Sequence, residues 1–350
     1  MGYIIGTGSY LPGEKPVTNE MLSEIFGESI NLIGDYFGVM SRSFVVDYRT
    51  GENIGNENNS DFCYKAVKEA LQKAQIKTKD IGLLITATNT PDYSLPQTSA
   101  LIQEKIELKD AITLDLRGGC SAPLQGILIA ENFIKSGLVE NAIVVGSECF
   151  STIYYPNLLK NRETFLAKDL MNSLIFGDGA AAVIVSKHKS GDAVLDVEEV
   201  SSQSSFADWP SGFVVALAGS KVKHFGEADL SLGKLLKHFP KEIESRLPKA
   251  TEAVFKKIQS EKGYEIKDFQ YVIGPQANKR LVDSLNRTFK NTNYFYYGDI
   301  TGNIPGGALL LALDKLLKDC QVKEKDKILV IGVESSKWIY GYCILNKVRS

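Results

Sequence analysis

The stretch Leu116-Arg117-Gly118-Gly119-Cys120-Ser121-Ala122-Pro123-Leu124 reads as a corner where a strand turns into a helix. Ile112 to Leu116 supplies a short strand. Two adjacent glycines permit a sharp turn, and Pro123 falls in the first helical turn, where its missing N–H is not needed. The helix is expected to run from Ser121 to Ser136 and to stop at Gly137. A thiol at such a corner faces the positive end of a helix dipole. That position is expected to lower the pKa of Cys120 and make its thiolate available as a nucleophile. The other role open to it is that of a small buried apolar cysteine.

Strand-like and helix-like runs alternate around this corner, the pattern of α/β architecture. Residues 81–88 read as a buried strand, 97–107 as a helix after Pro96, and 141–146 and 181–185 as further strands. The same order returns later in the chain. Residues 269–273 read as a strand, 278–290 as a helix, 294–297 as a short strand, 304–318 as a long apolar helix, and 328–332 and 338–345 as strands. A repeat on this scale predicts a duplicated fold with a pseudo-twofold axis. The seam is expected between Ser186 and Val197, giving halves of 1–190 and 191–350. The polar stretch 201–227 reads as a surface excursion of the second half.

Thr301-Gly302-Asn303-Ile304-Pro305-Gly306-Gly307 is the matching corner of the second half. In a duplicated fold the two helix N-termini meet near the axis and favour negative charge there. Asn303 is either an N-cap of its helix or an amide aimed at a substrate carbonyl. Phe176-Gly177-Asp178-Gly179-Ala180 reads as a structural turn before a strand. Of the three histidines, His188 and His224 sit among lysines and read as surface, whereas His238 borders an apolar segment.

Composition narrows the function classes. With 350 residues, 44% apolar and 23% charged, the chain can build a full-sized core. A net charge of −2 gives no basic surplus for a nucleic-acid partner. No apolar run approaches the ~18 residues of a membrane span, and no signal peptide is recognisable. Five scattered cysteines argue against a disulfide framework or a zinc site and for a reducing compartment, with the cytoplasm as the expected location.

Taken together, the Cys120 corner, Lys135-Ser136-Gly137-Leu138-Val139 with Val144-Val145-Gly146-Ser147, Phe176-Gly177-Asp178-Gly179-Ala180, Gln276-Ala277-Asn278 and Gly302-Asn303 resemble the β-ketoacyl synthase III type of the thiolase superfamily. The resemblance covers nearly the whole chain. It implies a five-layer αβαβα fold of two pseudo-duplicated halves and a homodimer. It implies an acyl group held on Cys120, donated by acyl-CoA or by the phosphopantetheine thioester of an acyl carrier protein, with no tightly bound cofactor and no metal. In the family a malonyl thioester is then decarboxylated, and a His and an Asn stabilise the carbanion. Asn303 matches that Asn. Cys120 and Ser336 match the oxyanion amides, the latter in Ser335-Ser336-Lys337, where the family has Gly-Gly-Gly. Leu95 matches a residue that reaches into the partner's acyl tunnel, and Ile153 and Phe239 are further apolar candidates for substrate contact.

The chain departs from the family at defined points. The family's His is Pro275 here, and proline has neither an N–H nor a titratable group. Losing one such donor typically costs about 10²–10³ in rate. The Arg and Trp that often hold the CoA adenine are replaced by Thr152 and Leu32. Three readings are open. The first is an acyltransferase that uses the Cys120 thioester, either without requiring decarboxylation or with Asn303 alone supporting it. The second is conventional condensation, with His238 or water in place of the imidazole. The third is a non-catalytic subunit forming a heterodimer with an active paralogue.

Overall fold

The computed structural model describes residues 2–163, 170, 175–191, 194–215, 236–288 and 293–349. From the first part of the chain come β1 (Tyr3–Tyr10), β2 (Leu83–Thr88), β3 (Ile112–Leu116), β4 (Asn141–Glu148) and β5 (Gly179–Ser186). They lie side by side in the order β3-β2-β4-β5-β1. β6 (Leu195–Ser204) follows, then a small antiparallel hairpin of β7 (Phe213–Val215) and β8 (Leu236–His238). The chain continues through β9 (Tyr271–Ile273), β10 (Lys327–Val333) and β11 (Ile339–Lys347), which with β6 form the row β9-β10-β11-β6. The rows join where Tyr3 and Ile4 pair with Asp196 and Leu195.

The two rows repeat one pattern. β2 and β4 are parallel, and β4, β5 and β1 are successively antiparallel. β9 and β10 are parallel, and β10, β11 and β6 are successively antiparallel. β3 extends the first row parallel to β2, through pairs such as Ile85 with Leu114. Its counterpart, the strand expected at 294–297, is reduced to a single parallel bridge between Val272 and Tyr294. The Gln276 side chain explains this. Its Nε2 donates to the Phe295 carbonyl at 3.0 Å and its Oε1 accepts from the Tyr297 amide at 2.9 Å.

The strands are framed by the helices α1 (Asn19–Phe26), α2 (Ser29–Phe37), α3 (Asn59–Ala74), α4 (Thr98–Lys105), α5 (Ala122–Lys135), α6 (Ser151–Lys160), α7 (Pro240–Lys262), α8 (Lys279–Thr288), α9 (Gly298–Thr301) and α10 (Ala308–Asp319). α5 packs against strands of both rows, namely β2, β4 and β5 on one side and β6 and β11 on the other. α10 likewise touches β1, β4 and β5 as well as β9. α3 covers β1 and β5 from outside, and α7 covers β10 and β11. The layers therefore run helix, sheet, helix, sheet, helix, the thiolase-like order.

The buried residues sort by these layers. Phe62, Ala66 and Ala70 of α3 pack on Ile143, Val145 and Ile184. Leu124 and Ile127 of α5 meet Leu309, Leu310 and Leu313 of α10 between the rows. Leu247, Val254 and Ile258 of α7 pack on Leu329, Ile331 and Trp338. Alternate residues of β4 and β10 thus enter different cores, as the two-residue period of a strand covered on both faces requires.

Several expectations need adjustment. The helix read from Ile304 begins only at Ala308, because Ile304 and Gly306-Gly307 form the turn before it. The helix read from Asn278 is observed from Lys279 to Thr288, and its last two expected residues lie outside the described ones. β1 and α3 were not expected. The part of the polar stretch after Val215, with His224, also lies outside the described residues. Among the described residues no helix is long and apolar enough to cross a membrane.

Candidate active site

The strand β3 ends at Leu116, and Gly119-Cys120-Ser121 form one 3-10 turn leading into α5. Gly119 has φ +49°, and a Cβ there would meet Cγ of Glu334 at 2.3 Å, so both conformation and space select glycine. Ser121 ties the turn by donating from its amide and hydroxyl to the Gly118 carbonyl. Cys120 as a residue is partly exposed. Its thiol pKa is nonetheless pushed up, first by burial of the sulfur, then by the carboxylates of Glu334 and Glu148. The expectation of a dipole-lowered pKa is thereby reversed. Removing a thiolate from water and placing it near two carboxylates outweighs one helix end.

Asn303 lies opposite, 7% exposed. Its amide donates to the Ile175 carbonyl at 2.6 Å and its carbonyl accepts from Gly177 at 3.0 Å, forming a parallel bridge beside Phe176. It therefore does not cap the helix, which starts five residues later behind Gly307. The side-chain Oδ1 is buried without a hydrogen-bond partner. The Phe176–Ala180 turn that braces Asn303 is itself anchored by Asp178. This carboxylate accepts from the Val45 amide and from the amide and hydroxyl of Ser151, and burial pushes its pKa up to about 6.

Glu148, the last residue of β4, is buried and holds the Asn303 corner. It accepts from the Gly306 amide at 3.0 Å, the Asn89 side chain at 2.6 Å and the Thr90 hydroxyl at 2.7 Å. Burial still pushes its pKa up to about 7. The equivalent residue in the other half is Glu334, just past β10. Val144-Val145-Gly146-Ser147-Glu148 and Val330-Ile331-Gly332-Val333-Glu334 occupy matching places, and each glutamate reaches the corner of the opposite half.

A cavity of about 490 Å³ opens between the corners. Cys120, Asn303, Pro275 and Gln276 line it, with an apolar wall that includes Phe150, Phe176, Phe213 and Leu247. His238 also lines it, from the β7–β8 hairpin, with its ring edge-on to Phe213 at 5.8 Å. Burial pushes the His238 pKa down to about 4, so the imidazole is neutral at neutral pH. Among the described residues, Arg117, Glu244, Glu334 and Lys337 are the other charged groups on its walls.

The residues expected from sequence do not all converge. Cys120, Asn303 and His238 come together on one cavity. Ser336 lines it too, but its amide donates to Oε1 of Glu334 and its hydroxyl to Oε2 at 2.8 Å. A substrate oxyanion would have to compete with that carboxylate for the Ser336 N–H. Leu95, 86% exposed, and Ile153 lie outside the cavity lining. Phe239 is 44% exposed and outside it as well, although its neighbours His238 and Pro240 line it. Leu32 is exposed and Thr152 bonds back to the Cys149 carbonyl, so neither is engaged as an adenine clamp would be. His188 is exposed. All five cysteines are free, and among the described residues no group of three or more His, Cys, Asp or Glu could hold a metal ion. The two glutamates were missed. Their one signal was an acidic residue ending an apolar run in each half.

Comparison with known proteins identifies the family and the fold. The profile of 3-oxoacyl-[acyl-carrier-protein (ACP)] synthase III matches residues 114–203, and its C-terminal profile matches residues 260–336. The chain is 30% identical to the beta-ketoacyl-[acyl-carrier-protein] synthase III of Clostridium acetobutylicum, over 94% of each chain. It is 29% identical to that of Ehrlichia chaffeensis, over 98% of each. Among solved structures it is similar to AbyA1, a tetronic acid condensing enzyme, with a TM-score of 0.88 and 21% identity over 99% of this chain and 100% of that one. It is also similar to Xanthomonas campestris OleA, solved with lauric acid and lauroyl-CoA, with a TM-score of 0.83 and 17% identity over 99% of each. These two likenesses concern the fold.

Proposed function

Because the chain belongs to the 3-oxoacyl-[acyl-carrier-protein] synthase III family, we propose that it is an acyltransferase that carries its acyl group on Cys120. The donor is acyl-CoA or the thioester of an acyl carrier protein. One observation carries this reading. A partly exposed cysteine and a buried Asn303 oxygen without a partner, from equivalent corners of two halves, face one cavity.

The chemistry follows from the charges. Cys120 rests as a thiol, so its proton leaves during acylation rather than before it. The C–S bond of the donor breaks, a bond forms between the acyl carbon and Sγ, and the departing thiolate takes the proton that Cys120 gives up. The acceptor then attacks the Cys120 thioester and restores the thiol. The apolar wall suits an acyl chain, as lauroyl-CoA is bound by OleA.

A second reading is favoured by His238. Pro275 cannot donate to an enolate, but a neutral imidazole on the same cavity can, and the neutral form is the one suited to that task. Decarboxylative condensation would then use His238 with Asn303. The role of a non-catalytic partner in a heterodimer has less support, since Cys120 remains on an open cavity. A homodimer is the assembly implied by the family.

Intact-protein mass spectrometry with a panel of acyl-CoA and acyl-carrier donors tests the reading. The expected result is a gain of one acyl mass on the protein and none on Cys120→Ala. An equal gain in that variant, or no gain with any donor, removes it. Release of CO₂ from a malonyl thioester, lost in His238→Ala, would select condensation over plain transfer.

A further inference from the structure

Glu334 stands against the Cys120 corner as its counterpart Glu148 stands against the Asn303 corner. The two are bound differently. Glu148 divides its oxygens between its own half, through Asn89 and Thr90, and the other half, through the Gly306 amide. Glu334 receives its donors from its own turn: the amide and hydroxyl of Ser336 and, at 3.1 Å, the amide of Lys337. Its stem packs on Gly119, directly before the sulfur, and it lines the cavity while being only 5% exposed. Three donors to one carboxylate satisfy its oxygens and hold it in place.

We propose that Glu334 is a positioning residue of the acyl-transfer site: it fixes the 334–337 turn against the Gly119–Cys120 corner and sets a negative charge beside the sulfur that selects against anionic groups there. The proposal rests on the Cys120 acyl-transfer reading and specifies its substrates. Acyl groups and acceptors that are neutral or cationic near the reacting carbon are accepted, and those bearing a carboxylate there are disfavoured.

The other charged groups on the cavity do not cancel this selection. Arg117 and Lys337 are exposed, so solvent and salt screen them. Glu244 is exposed too and has the same sign as Glu334. His238 is neutral. Among the described residues, Glu334 is the charged group on the cavity that is withdrawn from solvent and in contact with the corner itself.

Two alkylating probes of similar size and different charge read the selection directly. Iodoacetamide and the iodoacetate anion attack the same thiolate, so the ratio of their rates cancels the ionised fraction of the thiol. The rates are followed by mass on the Cys120 peptide, with Cys120→Ala as blank. In the unaltered protein the iodoacetate-to-iodoacetamide ratio is expected to lie below that of a small free thiol. In Glu334→Gln the ratio should rise by about threefold or more, as removal of a nearby unit charge requires, while Glu334→Asp stays near the unaltered protein. A turn that is merely loosened would raise both rates together. An unchanged ratio in Glu334→Gln overturns the proposal, and so does a ratio in the unaltered protein equal to that of the free thiol, a result that needs no variant. Absence of any acyl mass on Cys120 would remove the acyl-transfer reading while leaving this ratio as measured.

Discussion

Replacing Gly146 with alanine tests the joint on which the two corners depend. Gly146 lies in β4, and a Cβ there would stand 1.9 Å from the carbonyl oxygen of Gly306, about 1.5 Å inside ordinary van der Waals contact. No side-chain end can swing aside, because the obstacle is backbone. β4 cannot yield, being paired on both edges, with Ala87 in β2 and Ala181 in β5. The turn from Ile304 to Gly307 must move instead, and its tie is the hydrogen bond from the Gly306 amide to Glu148. Overpacking of this kind costs about 1–3 kcal/mol. A broken bond to a buried carboxylate adds about 1.5–3 kcal/mol. A loss of about 4 kcal/mol in unfolding free energy is expected for Gly146→Ala by denaturant titration. Asn303 sits three residues before Gly306, and a shift of ~1 Å in such a group lowers transfer from Cys120 about 10²-fold. Alkylation of Cys120 by iodoacetamide should remain within about twofold, because its corner is braced by Glu334 rather than by Gly306. Wild-type stability together with full acyl transfer in this variant would refute the packing argument.

Glu148 predicts a pH dependence of stability. Its pKa in the folded chain, about 7, is raised above the ordinary value of 4.5. Its contribution is therefore fully present below pH 4.5 and is lost as pH rises through about 7. Between pH 6 and 8 the unaltered protein should lose about 1 kcal/mol relative to Glu148→Gln, measured by urea titration at each pH. Parallel profiles would contradict the raised pKa. Leu95 is exposed in the isolated chain, and the family resemblance places it in a partner subunit. Leu95→Glu should weaken self-association about tenfold or more by sedimentation, and an unchanged dimer would remove that role.

The corners were legible because their signals are local. Gly118-Gly119-Cys120 before Pro123, and Gly302-Asn303 before Gly306-Gly307, announce turns within a few residues. The alternation of strands and helices was legible for the same reason, and it carried the duplication. What escaped depends on partners far apart in the chain. Gln276 takes the backbone partners of residues 295 and 297, so a β-rich tyrosine run makes one bridge instead of a strand. Glu334 reaches Gly119 across more than two hundred residues, and burial with that carboxylate reverses the expected pKa of Cys120. His238 reaches the cavity only because β8 pairs with β7, which leaves its imidazole beside Phe213. Each of these outcomes is set by tertiary neighbours, which override local tendencies.

The matched glutamates at the ends of β4 and β10 show how a copied module can divide its labour. Both inherit the same address in their respective lobes, yet one serves as a keystone locked into its neighbour's masonry and the other is left looking into the room where the work is done. Exchanging glutamate for a smaller residue at position 148 is therefore a question of architecture, whereas at position 334 it is a question of clientele and of one wall together, because the carboxylate that faces the cavity also ties the 334–337 turn.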